Sequence, residues 1–323
     1  MFDLPGSIAI KEEGPREGFQ FERGEIPTAR KIELIDALSG TGLKHIQVVS
    51  FVPSKNVPGM ADAEQVVAGF TRSPGVTYTG LWLNERGLER AIETGKLDIN
   101  GHLNLTASEA FLLRNQKRTM AENLEALRCL AATYRRHEVP VERMSIAAAF
   151  GCNFEGDIPT EVLLTQTRQM LEVARDHGFD IKVLSLADTM AWATPKSIKH
   201  VVGAVREAYP DLQIGLHLHD TRGMGIANAY AGLEMGVALY DAAVGGLGGC
   251  PFAAHKGAAG NVCTEDLVFM CEEMGIDTGI DLDALLEVAQ LAEDIVGHPL
   301  PGAVKSGGSL RALRAGIAAA AAA

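Results

Sequence analysis

Short apolar, β-branched runs alternate eight times with longer stretches along the 323 residues, and this alternation constrains the fold more than any other feature. The strand candidates are 8–11, 46–51, 76–83, 97–105, 144–150, 181–186, 213–219 and 239–244. Between them, 29–39, 85–94, 116–137, 160–177, 195–209 and 225–235 carry apolar residues at three-to-four spacing, the period of a helix with one buried face. Asp157-Ile-Pro-Thr160 and Thr194-Pro195 pair a capping side chain with an early proline and predict helix starts. Parallel strands joined by right-handed helical crossovers close into a (β/α)8 TIM barrel, an α/β fold. An open doubly wound sheet gives a similar pattern, but no GxGxxG follows the first strand. The expected organisation is one barrel over 1–300 and a C-terminal extension over 301–323. A helix is expected after about residue 284, a loop at 307–310 and frayed or disordered alanines at 318–323.

Composition narrows the function. Apolar residues make up 47% and charged residues 22%, enough to bury a full core. Lys plus Arg number 29 against 41 Asp plus Glu, a net charge of −12, so bulk charge will not hold a nucleic-acid backbone. An anionic ligand needs a local basic pocket instead. No run of 18 apolar residues offers a membrane span, and the opening MFDLPGSIAI does not read as a secretory signal. Five cysteines without CxxC spacing argue against a disulfide framework or a zinc finger. The expectation is a cytoplasmic protein with a small-molecule partner.

In a barrel, chemistry sits where strands end and loops begin. Leu216-His217-Leu218-His219-Asp220 ends the seventh strand candidate. Alternate side chains of a strand share a face, so His217 and His219 point the same way, as a pair of metal ligands or as two packed, hydrogen-bonded rings. Gly14-Pro15-Arg16-Glu17-Gly18 follows the first strand candidate. Its carboxylate suits a cation and its guanidinium an oxyanion, although a surface turn with an ion pair reads the same. Gly245-Gly246-Leu247-Gly248-Gly249-Cys250-Pro251 makes a glycine-rich loop with a thiol at its tip, able to fold over a substrate. Downstream, Asn261 offers a neutral oxygen donor. Asp188, just past the sixth strand candidate, is placed for a general base or for a helix N-cap.

With these residues stands a resemblance over nearly the whole chain. GPREGFQ (14–20), SFVPSKNVPGMAD (50–62), FGCNFEG (150–156), LADT (186–189), HLHDT (217–221), GGLGGCPF (245–252), GN (260–261) and TEDLVFM (264–270) resemble the 3-hydroxy-3-methylglutaryl-CoA lyase family, metal-dependent barrel lyases related to homocitrate and isopropylmalate synthases. The resemblance implies a retro-Claisen cleavage of an acyl-CoA to acetyl-CoA and acetoacetate. It implies Mg2+ or Mn2+ held by His217, His219, Asn261 and Glu17. It implies Asp188 as base beside a histidine of the metal pair, His217, with Arg16 as partner of the enolate oxygen and Cys250 as a proton donor or closing group. Gln47, Ser50, Lys55 and Lys256 are the substrate-binding candidates, and Arg114, Lys117 and Arg222 are further cations for the CoA phosphates. The family commonly forms homo-oligomers, dimers or tetramers.

Three features depart from the family pattern: Glu17 in place of aspartate, Gln47 in place of glutamate, and a longer segment between Cys250 and Asn261 that adds His255 and Lys256. The added methylene of Glu17 moves its carboxylate by roughly 1.5 Å. Gln47 keeps a hydrogen bond but removes a charge beside the metal. A related substrate such as citramalyl-CoA, a Claisen-type condensation using acetyl-CoA, and a barrel that binds without catalysis are the competing readings.

Overall fold

The computed structural model describes residues 4–22, 24–55, 57–248 and 260–322. Eight parallel strands form one curled sheet: β1 (Ala9–Glu12), β2 (His45–Ser50), β3 (Thr77–Leu81), β4 (Gly101–Thr106), β5 (Val141–Ala147), β6 (Val183–Asp188), β7 (Gln213–Leu218) and β8 (Leu239–Ala242). Their order is β3-β2-β1-β8-β7-β6-β5-β4, so β1 pairs with both β2 and β8, as barrel closure requires. The remaining seam lies between β3 and β4. There Asp98 N donates to Tyr78 O at 2.8 Å, and Tyr78 N donates to the Asp98 carboxylate at 2.7 Å. This explains why the fourth strand begins at Gly101 rather than at 97: the segment before it spends its hydrogen bonds on the seam.

Each strand leads to a helix that covers the outside of the sheet: Thr28–Ser39, Ala63–Gly69, Glu85–Glu93, Met120–Arg136, Thr160–Asp176, Pro195–Ala208, Gly225–Glu234 and Thr264–Glu273. The expected stretch 116–137 resolves into two helices, Glu109–Gln116 and Met120–Arg136. Lys117 takes a left-handed backbone and ends the first, while Thr119 and Glu122 form a reciprocal cap that starts the second. Thr194 and Ser197 cap the helix at Pro195 as expected. Helix Thr160–Asp176 departs from expectation, because Pro159 stands at its cap position and no side chain closes it. Helix Leu282–Val296 packs against Thr28–Ser39. Helix Leu310–Ala322 runs through the terminal alanines where fraying was expected, as alanine has the highest helix propensity.

The apolar core lies between sheet and helices, where Leu34, Ile35, Leu38, Leu184, Leu186, Leu216 and Val202 are fully enclosed. Each such side chain contributes roughly 1.5–3 kcal/mol by leaving water. The barrel lumen is different. It carries hydrogen-bonded polar pairs, His45 Nε2 with Thr79 Oγ1 at 2.9 Å and His102 Nε2 with Ser145 Oγ at 2.7 Å, where many barrels stack aliphatic layers. Among the described residues, no helix is long and apolar enough to cross a membrane.

Candidate metal centre and active site

The C-terminal ends of the strands bring together residues far apart in sequence. His217 lies in β7 and His219 just beyond it. After β8 the chain returns at Gly260 and adds a short extended segment to the strand ends. Asp220 N donates to Gly260 O, Val262 N donates to Leu218 O, and His219 forms an isolated bridge with Asn261. Glu17 arrives from the other side, on a π-helical turn, Gly14–Gly18, that follows β1.

Ring nitrogens and oxygens converge here. His219 Nδ1 lies 2.8 Å from the carbonyl oxygen of Thr189, which can only accept, so Nδ1 carries the proton and Nε2 keeps its lone pair. His217 Nδ1 lies 3.2 Å from Asp241 Oδ2, so the neutral ring likewise presents its Nε2 lone pair. The two Nε2 atoms face each other at 3.2 Å, and Glu17 Oε1 lies 3.1 Å from the His219 nitrogen. Three acceptor groups therefore meet without a donor among them. Asn261 Nδ2 donates to Glu17 Oε1 at 3.1 Å, while Asn261 Oδ1 is buried with no hydrogen-bond partner. Lone pairs of two imidazoles, a carboxylate and a free amide oxygen fit a divalent cation, and without a positive charge this cluster would be costly to bury.

Charges around the cluster are ordered. Burial would raise the Glu17 carboxyl, but the Arg16 guanidinium beside it holds it well below the usual carboxylate range. Burial works against the Asp241 carboxylate too, and Lys11, His217 and Arg143 outweigh it, so this acid stays ionised and orients the His217 ring. Arg16 is tightly held: Nη1 meets Glu17 Oε2 at 3.0 Å, Nη2 meets Glu13, and Nε donates to Gln47 Oε1 at 2.5 Å. Asp188 is the reverse case. Burial pushes its carboxyl up to about 6, against hydrogen bonds from Ala193 and Trp192. Its Oδ1 accepts from Trp192 N at 2.7 Å and Ala193 N at 3.1 Å, while Oδ2 is buried without a partner. Thr194, not Asp188, caps the following helix, so the N-cap alternative does not describe Asp188.

Gln47 and Ser50 reach one face through an irregularity. Strict alternation would put positions three apart on opposite faces, but the β2–β3 register slips between Gln47 and Val49. Ser50 is buried and its hydroxyl has no hydrogen-bond partner. The basic candidates are scattered. Lys55 is exposed, Arg114 stacks 4.3 Å over the Phe154 ring, and Arg222 donates to the carbonyls of Met190 and Ala191. Cys250, His255 and Lys256 lie outside the described residues.

The buried carboxylates Glu12, Glu13 and Glu265 and the half-buried Asp241 escaped the sequence reading. Glu12 accepts from Gly14 N, Val244 N and the Thr264 hydroxyl, and Glu265 accepts from Gly245 N, so both brace the roots of the loops around the site. The detectable signal was an acid inside an otherwise strand-like run, at Glu12 in AIKE and at Asp241 in LYDA.

A family model described as HMGL-like matches residues 7–292. The chain belongs to the HMGL-like family. A hydroxymethylglutaryl-CoA lyase of Bacillus subtilis is 40% identical over 298 residues, 92% of this chain and 96% of the relative. A 3-hydroxy-3-isohexenylglutaryl-CoA/hydroxymethylglutaryl-CoA lyase of Pseudomonas aeruginosa is 38% identical over 296 residues, 91% and 95% of the two chains. Among solved structures, an HMG-CoA lyase of Acinetobacter baumannii in complex with coenzyme A and 3-methylmalate superposes with a TM-score of 0.85 at 37% identity, covering 96% of this chain and 97% of the other. In this HMGL-like barrel, the mouth that holds His217 and His219 is the end at which barrel enzymes place their chemistry.

Proposed function

We propose that this chain is a carbon–carbon lyase that cleaves 3-hydroxy-3-methylglutaryl-CoA to acetyl-CoA and acetoacetate. The observation that carries the reading is the meeting of the Nε2 atoms of His217 and His219 with Glu17 and Asn261 at the mouth of a barrel whose HMG-CoA lyase relatives match it over nine-tenths of its length. A divalent cation, Mg2+ or Mn2+, held by His217, His219, Asn261 and Glu17 would lower the pKa of a hydroxyl bound to it.

The residues divide the remaining work. Asp188, ionised above about pH 6, accepts the proton of the C3 hydroxyl on its partnerless oxygen. The O–H electron pair becomes the new carbonyl bond, C2–C3 breaks, and its pair stays on C2 as a thioester enolate. Arg16 donates to the enolate oxygen, its side chain pre-set by Glu13, Glu17 and Gln47. Cys250 returns a proton to C2. Gln47 and Ser50 face the substrate from β2, and Lys55 and Lys256 serve the CoA phosphates. The reading treats 1–300 as the catalytic barrel and 301–323 as an extension. Leu313 and Ile317, exposed on helix Leu310–Ala322, would take part in a homo-oligomer. The four described cysteines are unpaired thiols, in keeping with the cytoplasm.

A longer 3-alkyl substituent is the second reading, favoured by the isohexenyl substrate in the name of the Pseudomonas relative. The test is a coupled assay of the Mg2+- or Mn2+-loaded protein on HMG-CoA, citramalyl-CoA and longer 3-alkyl analogues, comparing kcat/KM. HMG-CoA should give the highest value, and His217→Ala should abolish turnover. Cleavage of none of these thioesters refutes the reading.

A further inference from the structure

The barrel lumen has a second charged compartment at its opposite end. Below Asp241, toward the N-terminal ends of the strands, lies a cavity of about 130 Å3. Small residues make the room. Ala9, Ser185 and Gly215 line it, and a Cβ at Gly215 would meet Ser185 Oγ at 2.7 Å. Asp241 divides the compartments: Oδ2 accepts from His217 at the mouth, and Oδ1 lies 3.9 Å from Lys11 Nζ on the cavity side.

The charges around this cavity do not balance. Lys11, Lys44 and Arg143 line it, against Asp241 in the wall and Glu13 paired to Lys11. Three cations face two carboxylates, and both carboxylates have other cationic or donor partners, Arg16 for Glu13 and His217 for Asp241. His45 in the wall and His102 beside it add no charge, because burial, then Lys11 and Arg143, push both rings down to about 3. Arg143 acts on Asp241 only through space and is the cation without a direct partner. Its side chain is partly buried in the wall, and it makes no hydrogen bond or ion pair with any described residue. A guanidinium carries five N–H donors, and those of Arg143 are open to a solute in the cavity. Lys44 is exposed and lines the same cavity, so solutes can reach it from outside.

We infer that this cavity binds one compact monovalent anion, a halide or a formate-sized carboxylate, on the Arg143 guanidinium beneath Lys11 and Lys44. One negative charge matches the single formal excess positive charge, whereas a dianion would over-compensate it. The site lies at the end of the barrel opposite His217 and His219, and it does not depend on the lyase reading.

Wild-type crystals soaked in sodium bromide test it directly. An anomalous bromide peak within hydrogen-bonding distance of the Arg143 guanidinium is expected. In solution, sodium bromide and sodium formate, balanced at constant ionic strength with the bulky anion gluconate, should each raise the wild-type Tm in a saturable way. Arg143→Gln should weaken that response at least tenfold, and Arg143→Lys should retain part of it. A response to bromide alone identifies a halide site, and one to formate alone identifies a carboxylate site. A cavity without bromide, a Tm response equal in Arg143→Gln, or a response to phosphate only would overturn the proposal. Should Arg143→Gln fail to fold, the bromide soak of the wild type decides.

Discussion

Gly248 is the position where one added methyl group should separate the metal site from general stability. Its φ is +100°, and a Cβ there would lie 2.6 Å from Asn261 Nδ2 and 3.1 Å from Glu17 Cγ. Moving from 2.6 Å to the 3.4 Å at which ordinary contact begins needs a shift of about 0.8 Å, and both neighbours are proposed ligands. Metal sites tolerate roughly ±0.2 Å in ligand distance. Disturbing groups that set ligand position typically costs 10–100-fold in metal affinity, or about 1.4–2.7 kcal/mol. A left-handed backbone also strains any non-glycine residue by roughly 1–2 kcal/mol. Gly75 isolates that second effect, because its φ is +77° and a Cβ there would meet nothing within 4 Å. Gly248→Ala and Gly75→Ala should therefore lose similar backbone stability in urea unfolding. Only Gly248→Ala should weaken Mn2+ binding, read by electron paramagnetic resonance of free Mn2+, by 10–100-fold. Equal Mn2+ affinity in the two variants would refute the argument that Asn261 and Glu17 hold the cation.

Two further predictions concern pH. If Asp188 is the base, its ionised form is the active one, so kcat/KM should rise with pH through about 6; Asp188→Asn should remove that limb and lower kcat by roughly 100- to 10,000-fold. Glu12 is raised to about 7 by burial, despite hydrogen bonds from Thr264, Val244 and Gly14. The folded state holds its proton more tightly than the unfolded chain, whose carboxyl titrates near 4.5. Glu12 therefore costs stability as pH rises from 4.5 through about 7, by about 3 kcal/mol in all. Urea unfolding at pH 5 and pH 8 should show a larger drop in the wild type than in Glu12→Gln, and equal drops would contradict the assignment.

Much of the scaffold was legible because its signals are local. Periodicity marked all eight strands, and Thr194-Pro195 marked a helix start that a reciprocal cap then confirmed. The limits were local as well. Position 97 read as strand because its apolar run looks like one, yet Asp98 closes the seam to Tyr78 instead. In the site, the two-residue period aligned His217 with His219, and Asp188 fell at its strand end. Arg16 read either as an oxyanion partner or as half of a surface ion pair, and its full set of anchors stayed hidden because it includes Gln47 on a distant strand.

By itself, the sequence determined where the eight strands and most of the long helices fall and which histidines share a face, since each follows from spacing along one stretch of backbone. Tertiary structure alone decided what depends on distant chain segments meeting. It set Glu17 against His219 across 202 positions, left Asn261 Oδ1 without a partner, brought Ser50 to the Gln47 face through a register slip and left Arg143 without a direct partner in the lumen. Each of these is a distance or an absence of contact in three dimensions, and barrel closure creates them all at once.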